Sequence, residues 1–174
     1  MEHGLRSVAG ILAVLGAAFG PGLAAQSQGR MSGVTQQEKA MTTRATGTFE
    51  VKLAPLTTYE NVEGSPLGRM SIDKVFQGDL AGTSKGEMLT GMSSVKGSAG
   101  YVAMERVNGT LNGRRGSFVL QHSATMTRGT PQLSISVVPD SGTEELVGLS
   151  GSMQIIIEGS KHSYVFEYSI AGAP

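Results

Sequence analysis

The sequence predicts an all-β fold, an eight-stranded antiparallel meander that closes into a β-barrel. Short segments of alternating apolar and polar residues recur along the chain, which is typical of half-buried strands. The 25 glycines lie mostly between these segments and show no collagen-like period. The connectors are mostly short, which favours antiparallel neighbours, and closure would remove the edges of the sheet. An open two-sheet sandwich is the alternative.

The first part of the chain resembles a secretory signal peptide over residues 1–25. Arg6 precedes an uncharged stretch, residues 7–28, that is rich in Ala, Gly, Leu and Val. Small residues allow cleavage after Ala24 or Ala25. The apolar core is short and interrupted by Gly and Pro, so we expect no membrane span in the mature protein. The sequence therefore predicts export to the periplasm or the exterior.

A polar linker, predicted to be disordered, follows over residues 26–41, and the barrel domain covers residues 42–171. An alternative reading places the true translation start at Met31 or Met41. The protein would then be cytoplasmic.

The strands of the domain follow from alternation. It is clearest near the end of the chain, where Tyr164, Phe166 and Tyr168 share one face and Val165 and Glu167 share the other. The predicted strands are Ala45–Ala54, Arg69–Gln77, Thr83–Thr90, Tyr101–Asn108, Ser117–Thr125, Leu133–Val138, Met153–Glu158 and Ser163–Ile170.

One connector predicts a short helical turn near residues 143–149. Thr143 is a candidate N-cap, Glu144 and Glu145 occupy the first turn, and Gly148 or Gly151 ends it.

Composition excludes several classes of function. The chain has no cysteine, which excludes disulfides, thiolate catalysis and Cys-ligated metal centres. Its net charge is zero, which argues against a non-specific nucleic-acid binder. The domain has only His122 and His162, without metal-ligand spacing, and no phosphate-binding glycine motif is present. We expect neither a metal nor an organic cofactor.

Several blocks of the domain resemble a known family. They are ATGTFEVKL, GRMSIDKVFQGDL, GEML, KGSAGYVAMERVNGTLNGRRGSFVLQHSATM, VVPDSGTEELVGLSG and KHSYVFEYSI. Across Thr42–Ile170 the chain is similar to a bacterial family of unknown function, whose members look like small barrels similar to allene oxide cyclase and dirigent proteins. The resemblance implies the barrel. It brings no activity, and no motif here aligns with the catalytic segment of plant allene oxide cyclase.

The fifth predicted strand carries the first candidate for chemistry. Phe118 and His122 share one face of this strand, and Gln121 lies on the other, so one polar side chain points into the barrel on either reading. A His in an apolar cavity is suited to general acid–base catalysis near neutral pH. The alternative is a structural His that is hydrogen-bonded to a neighbouring strand.

Glu105 is the second candidate, because a carboxylate is unexpected between Ala103 and Val107 in mid-strand. If its side chain points inward, burial raises its pKa and suits it to proton abstraction. If it points outward, Lys85 is a suitable cross-strand partner. The candidate catalytic residues are thus His122 and Glu105. The candidate ligand-binding residues are Tyr101, Phe118, Gln121 and Tyr164, each of which could instead serve packing alone.

Two functional hypotheses follow. In the first, which the sequence favours, the lumen binds a small hydrophobic molecule, and the barrel is a carrier or a cofactor-free cyclase or isomerase. In the second, side chains fill the lumen, and the protein is a non-enzymatic structural or interaction barrel that forms a homo-oligomer. Cavity volume discriminates between them, since a lumen of about 300 Å³ or more favours a ligand.

Overall fold

The computed structural model describes residues 41–59 and 67–171. The predicted signal peptide, residues 1–25, and the predicted linker up to residue 40 lie outside the described residues.

Eight antiparallel strands form one closed barrel in chain order, which confirms the predicted fold. The strands are β1 (Thr43–Leu56), β2 (Leu67–Gly78), β3 (Leu80–Met92), β4 (Ala99–Leu111), β5 (Arg114–Thr127), β6 (Thr130–Val137), β7 (Leu149–Glu158) and β8 (Lys161–Ile170). All eight are longer than the sequence predicts. In β2, β3, β4, β5 and β7 the added residues include glycines, which do not end a strand here. Gly82 of β3 and Gly109 of β4 face each other across the two strands. At either glycine, a Cβ would collide with the backbone of the opposite strand.

The barrel closes where β1 pairs with β8, with Thr43 opposite Tyr168 and Phe49 opposite His162. The other neighbouring strands pair over long stretches, with one exception. Between β6 and β7 a single residue pair, Ser136 and Ser152, is in register.

The inward side chains divide the lumen into two parts. At one end lies the aromatic half, which we define by its buried rings; these are Phe49, Phe76, Phe118, Tyr164, Phe166 and Tyr168. At the other end, which we call the mouth, most of the buried apolar side chains are aliphatic; these are Ile72, Met88, Tyr101, Ala103, Ala124 and Met126. Aromatic rings are thus replaced by narrower side chains toward the mouth, with Tyr101 as the one aromatic residue of that cluster.

The predicted helical turn is present as a 3₁₀ turn, η1 (Glu144–Leu146), in the connector between β6 and β7. Thr143 holds the N-cap position, but its side chain makes no cap hydrogen bond. Its Oγ1 instead accepts a hydrogen bond from the backbone N–H of Ser117, at 2.9 Å. Leu146 is almost wholly buried and packs against the aromatic half, so η1 covers that end of the barrel.

Within residues 41–59 and 67–171, no helix is long and apolar enough to cross a membrane. The same residues contain no group of three or more metal-ligating side chains.

Candidate functional site

A buried ion pair lies between the two parts of the lumen. Lys74 of β2 and Glu105 of β4 point inward from opposite sides of β3, and Lys74 Nζ lies 2.7 Å from Glu105 Oε2. The side chains are 3% and 0% exposed, so both charges are withdrawn from water. Lys74 Nζ also lies 5.1 Å from the ring centroid of Phe49 and 5.7 Å from that of Phe76. Such contacts attract the ammonium group to the faces of the rings.

Two further polar side chains complete what we call the polar layer, namely Lys74, Ser84, Glu105 and His122. The Ser84 hydroxyl donates a short hydrogen bond to Glu105 Oε1. His122 Nε2 lies 3.0 Å from Glu105 Oε2. This distance permits attraction, but the contact does not meet the geometry of a hydrogen bond. Nε2 is therefore buried without a hydrogen-bond partner among the described residues.

The polar layer reverses the pKa shift that burial alone would give Glu105. Burial acts to raise the pKa, but the charge of Lys74 and the neighbouring His122 outweigh it and lower the pKa from 4.5 to about 2. The expectation of a raised pKa for an inward Glu105 is therefore wrong, because its cationic partner was not foreseen. Glu105 is a stable carboxylate and a weak proton acceptor.

His122 is shifted toward its neutral form. Burial lowers its pKa below 6.5, the Glu105 carboxylate acts in the opposite direction, and the charge of Lys74 lowers it further. A neutral imidazole fits this position, because a protonated His122 and Lys74 would be two buried cations that share the single carboxylate of Glu105.

Tyr101 closes the polar layer toward the mouth. Burial, together with the nearby Glu105 charge, raises the pKa of its hydroxyl to about 12. The hydroxyl thus stays protonated at neutral pH and is a poor acid.

The cavity beside the polar layer is small. Tyr101, Lys74 and His122 form its polar side, and its walls are apolar; these are Val51, Leu53, Ile72, Met88, Leu133, Ile155 and Ile157. Its volume is about 20 Å³. A single water molecule needs about 10–15 Å³, so the cavity has room for one water and for no drug-sized ligand.

Gly86 of β3 allows the backbone of β4 to approach closely at Glu105, which lies directly opposite. A Cβ at Gly86 would lie 2.8 Å from the Cα of Glu105 and 3.1 Å from its Cβ. The polar layer therefore depends on a glycine at this place.

The structure separates the six residues that the sequence singled out. Glu105, His122 and Tyr101 lie together at the cavity. Phe118 points inward but lies in the aromatic half, where it stacks on Phe166 with centroids 5.8 Å apart. Tyr164 also lies there, and its hydroxyl accepts a hydrogen bond of 2.8 Å from the Leu80 N–H.

Gln121 lies on the outer surface, since it alternates with the buried Leu120 and His122 along β5. It therefore does not line the lumen, and from this position its side chain does not reach a ligand in the lumen. Of the two readings for the Gln121–His122 pair, His122 is the inward residue.

Sequence reasoning missed Lys74 and Ser84. The signal for Lys74 was present, because Ile72, Lys74 and Phe76 share one face of β2 by simple alternation. A lysine between two large apolar residues on a buried face requires an acidic partner. Ser84 gave no comparable signal.

A larger concavity lies outside the barrel, on the outer face of β3, β4 and β5. We call it the outer groove; its volume is about 1060 Å³. Exposed apolar side chains line it, with Leu89 56%, Val102 53% and Met104 51% exposed. Its charged lining residues are Arg69, Lys85, Glu87 and Arg106.

Comparison with known proteins gives a family and a related structure. Residues 45–168 match the family model described as protein of unknown function, DUF3224. The chain is similar to the crystal structure of a protein of unknown function from this family in Shewanella oneidensis MR-1. The two are 52% identical with a TM-score of 0.74, and the match covers 76% of this chain and 100% of the other. No curated protein matches the chain.

Proposed function

Since the chain belongs to the DUF3224 family of proteins of unknown function, we propose from the geometry alone that it is a non-enzymatic interaction barrel that acts through its outer surface. One observation carries this proposal. The cavity in the lumen has a volume of about 20 Å³, far below the roughly 300 Å³ of a small-molecule site.

The chemistry of the polar layer supports the same proposal. A general base works best with a pKa near the operating pH, and that of Glu105 is about 2. Lys74 and Ser84 already occupy both carboxylate oxygens, so a substrate proton would have to displace a partner. His122 is almost fully buried, at 3% exposure. We infer that the polar layer maintains the packing of the lumen rather than transferring protons.

The large exposed apolar side chains supply the second line of support. Leu89, Val102 and Met104 cluster on one outer face, although burying them would favour folding. Apolar side chains that cluster on a surface mark interaction sites more often than single ones do. Homo-oligomer formation remains the prediction that accompanies this function.

Native mass spectrometry of the full chain, purified gently from its own host, tests the proposal. We expect that any tightly bound molecule of a few hundred daltons is lost when the side chains of the outer groove are changed, as in Val102→Glu. Such a mass, retained in a Val102→Glu variant but lost in a Tyr101→Trp variant that fills the mouth, would establish a lumen ligand and overturn the proposal. The same spectrum counts the subunits and so tests the homo-oligomer.

A further inference from the structure

We propose that the outer groove binds a free alkyl carboxylate of medium chain length, with the carboxylate at Lys85 and Arg106 and the chain across Met104, Val102 and Leu89. This inference rests on the proposed function, because it names the ligand class of the outer surface.

The cationic end of the groove carries the first part of the inference. Lys85 of β3 and Arg106 of β4 stand directly opposite each other, and both point outward. Like charges at directly opposed positions repel each other. Asp73 faces Lys85 on the other side, from β2. Neither cation, however, forms an ion pair with any described residue. A bound anion would relieve this repulsion and complete the charge pairing.

The other charges of the groove are already paired. Arg69 donates hydrogen bonds to Glu87 Oε2 from Nε at 2.9 Å and from Nη2 at 2.6 Å. Glu87 lies directly opposite Met104, between Lys85 and Leu89 on β3. Its carboxylate is occupied by Arg69, so its negative charge is already balanced where the alkyl chain would pass. The positive charge available to a ligand is therefore concentrated at Lys85 and Arg106.

An apolar path leads away from this cationic end. Along β4 the outward side chains run from Arg106 to Met104 and Val102, and Leu89 lies directly opposite Val102 on β3. Four residues of strand cover about 13 Å, which suits an alkyl chain of medium length. Partly exposed Val119 and exposed Gln121 of β5 flank the path on the other side.

The size of the outer groove suits a single amphiphile. The outer groove measures about 1060 Å³, just above the range of about 300–1,000 Å³ for small-molecule sites. A second copy of the chain would bring Lys85 and Arg106 of its own to the same patch.

Titration calorimetry of the full chain with sodium decanoate tests the inference, with acetate and decyltrimethylammonium as matched ligands. We expect binding of decanoate only, since acetate lacks the chain and decyltrimethylammonium carries the opposite charge. Shortening the chain from decanoate to octanoate should weaken binding about fourfold to sixteenfold, that is, about twofold to fourfold for each methylene. Equal binding of both ten-carbon ligands, or no binding of decanoate, would overturn the inference.

Variants locate the site. Val102→Glu removes an apolar contact with the alkyl chain, and Arg106→Glu reverses the charge that faces the carboxylate. Each should weaken decanoate binding at least about tenfold. Val75→Glu and Lys52→Glu are the matched controls, because both residues are exposed outside the groove, and they should bind like the original chain. Unchanged binding in the groove variants would overturn the assignment.

The remaining outcomes separate this inference from the proposed function. Decanoate binding that is lost in Tyr101→Trp but retained in Val102→Glu would place the ligand in the lumen, and both proposals would fail. Binding to anionic vesicles without binding of decanoate would overturn only the ligand class. Self-association that Val102→Glu abolishes, without decanoate binding, would assign the groove to a second copy and again overturn only the ligand class.

Discussion

The two parts of the lumen are filled by different means. In the aromatic half, large rings interlock, as where the Phe76 and Tyr164 rings meet edge to face with centroids 5.7 Å apart. Next to it, the polar layer fills the barrel with an ion pair and its hydrogen bonds. The rings tolerate changes in pH because they carry no charge, whereas the polar layer is stable only in one protonation state. Two parts of one barrel interior can thus be equally well filled and yet respond differently to mutation and to acid.

Breaking the ion pair tests the polar layer most strongly. Glu105→Gln leaves Lys74 as an unpaired buried cation and should lower the free energy of unfolding by about 3–5 kcal/mol. Urea denaturation followed by circular dichroism measures this loss. The double variant Lys74→Met/Glu105→Gln should recover most of it, since no buried charge remains. A double variant as unstable as Glu105→Gln would show that the pair is not the source of the loss.

Acid should lower the free energy of unfolding through the polar layer by nearly as much as Glu105→Gln does. The folded pKa of Glu105, about 2, lies below 4.5, so the unfolded chain binds the proton first. About 3 kcal/mol of stability is therefore present above pH 4.5 and is lost as the pH falls toward 2. The lowered pKa of His122 adds a loss of the same sign that begins below 6.5. Denaturation curves at a series of pH values should show a weaker acid dependence in Lys74→Met/Glu105→Gln. An identical dependence in that variant would contradict the assignment.

The aromatic half should show a smaller effect that does not depend on pH. Tyr164→Phe removes the acceptor of the Leu80 N–H, a buried backbone group, and should cost about 1–2 kcal/mol. The expected loss is the same at pH 4 and pH 7, because the pKa of the Tyr164 hydroxyl is raised by burial and it stays neutral at both. Urea denaturation at these two values checks this. A loss confined to one of them would show that the two parts of the lumen are electrostatically coupled.

The outer surface supplies the smallest effect. Gln121→Ala removes an exposed side chain next to His122 in the chain but on the opposite face of β5, and should change stability by less than about 0.5 kcal/mol. Thermal unfolding of Gln121→Ala and of His122→Ala compares the loss of stability on the outer and inner faces of β5. A loss in Gln121→Ala equal to that in His122→Ala would contradict the alternation described for β5.

The fold could be predicted from the sequence because alternation is a local signal. Tyr164, Phe166 and Tyr168 indicate one buried face without reference to any other strand. The polar layer could be predicted only in part. Glu105 and His122 lie on adjacent strands, but Lys74 reaches Glu105 across β3, and that depends on barrel curvature and on the small residue at Gly86. Alternation does not encode such a distance, so the sign of the Glu105 pKa shift could not be obtained from the sequence.

The single residue pair in register between β6 and β7 has a consequence for motion in the wall of the barrel. Strands joined by few hydrogen bonds separate locally at a lower free energy than the rest of a structure. The backbone amides of Thr130–Val137 and Leu149–Glu158 that point from β6 toward β7, or from β7 toward β6, should therefore exchange with deuterium early. Those between β4 and β5, which pair along thirteen residues, should exchange later. The barrel is closed in topology, but it has one seam at which the wall can open without global unfolding.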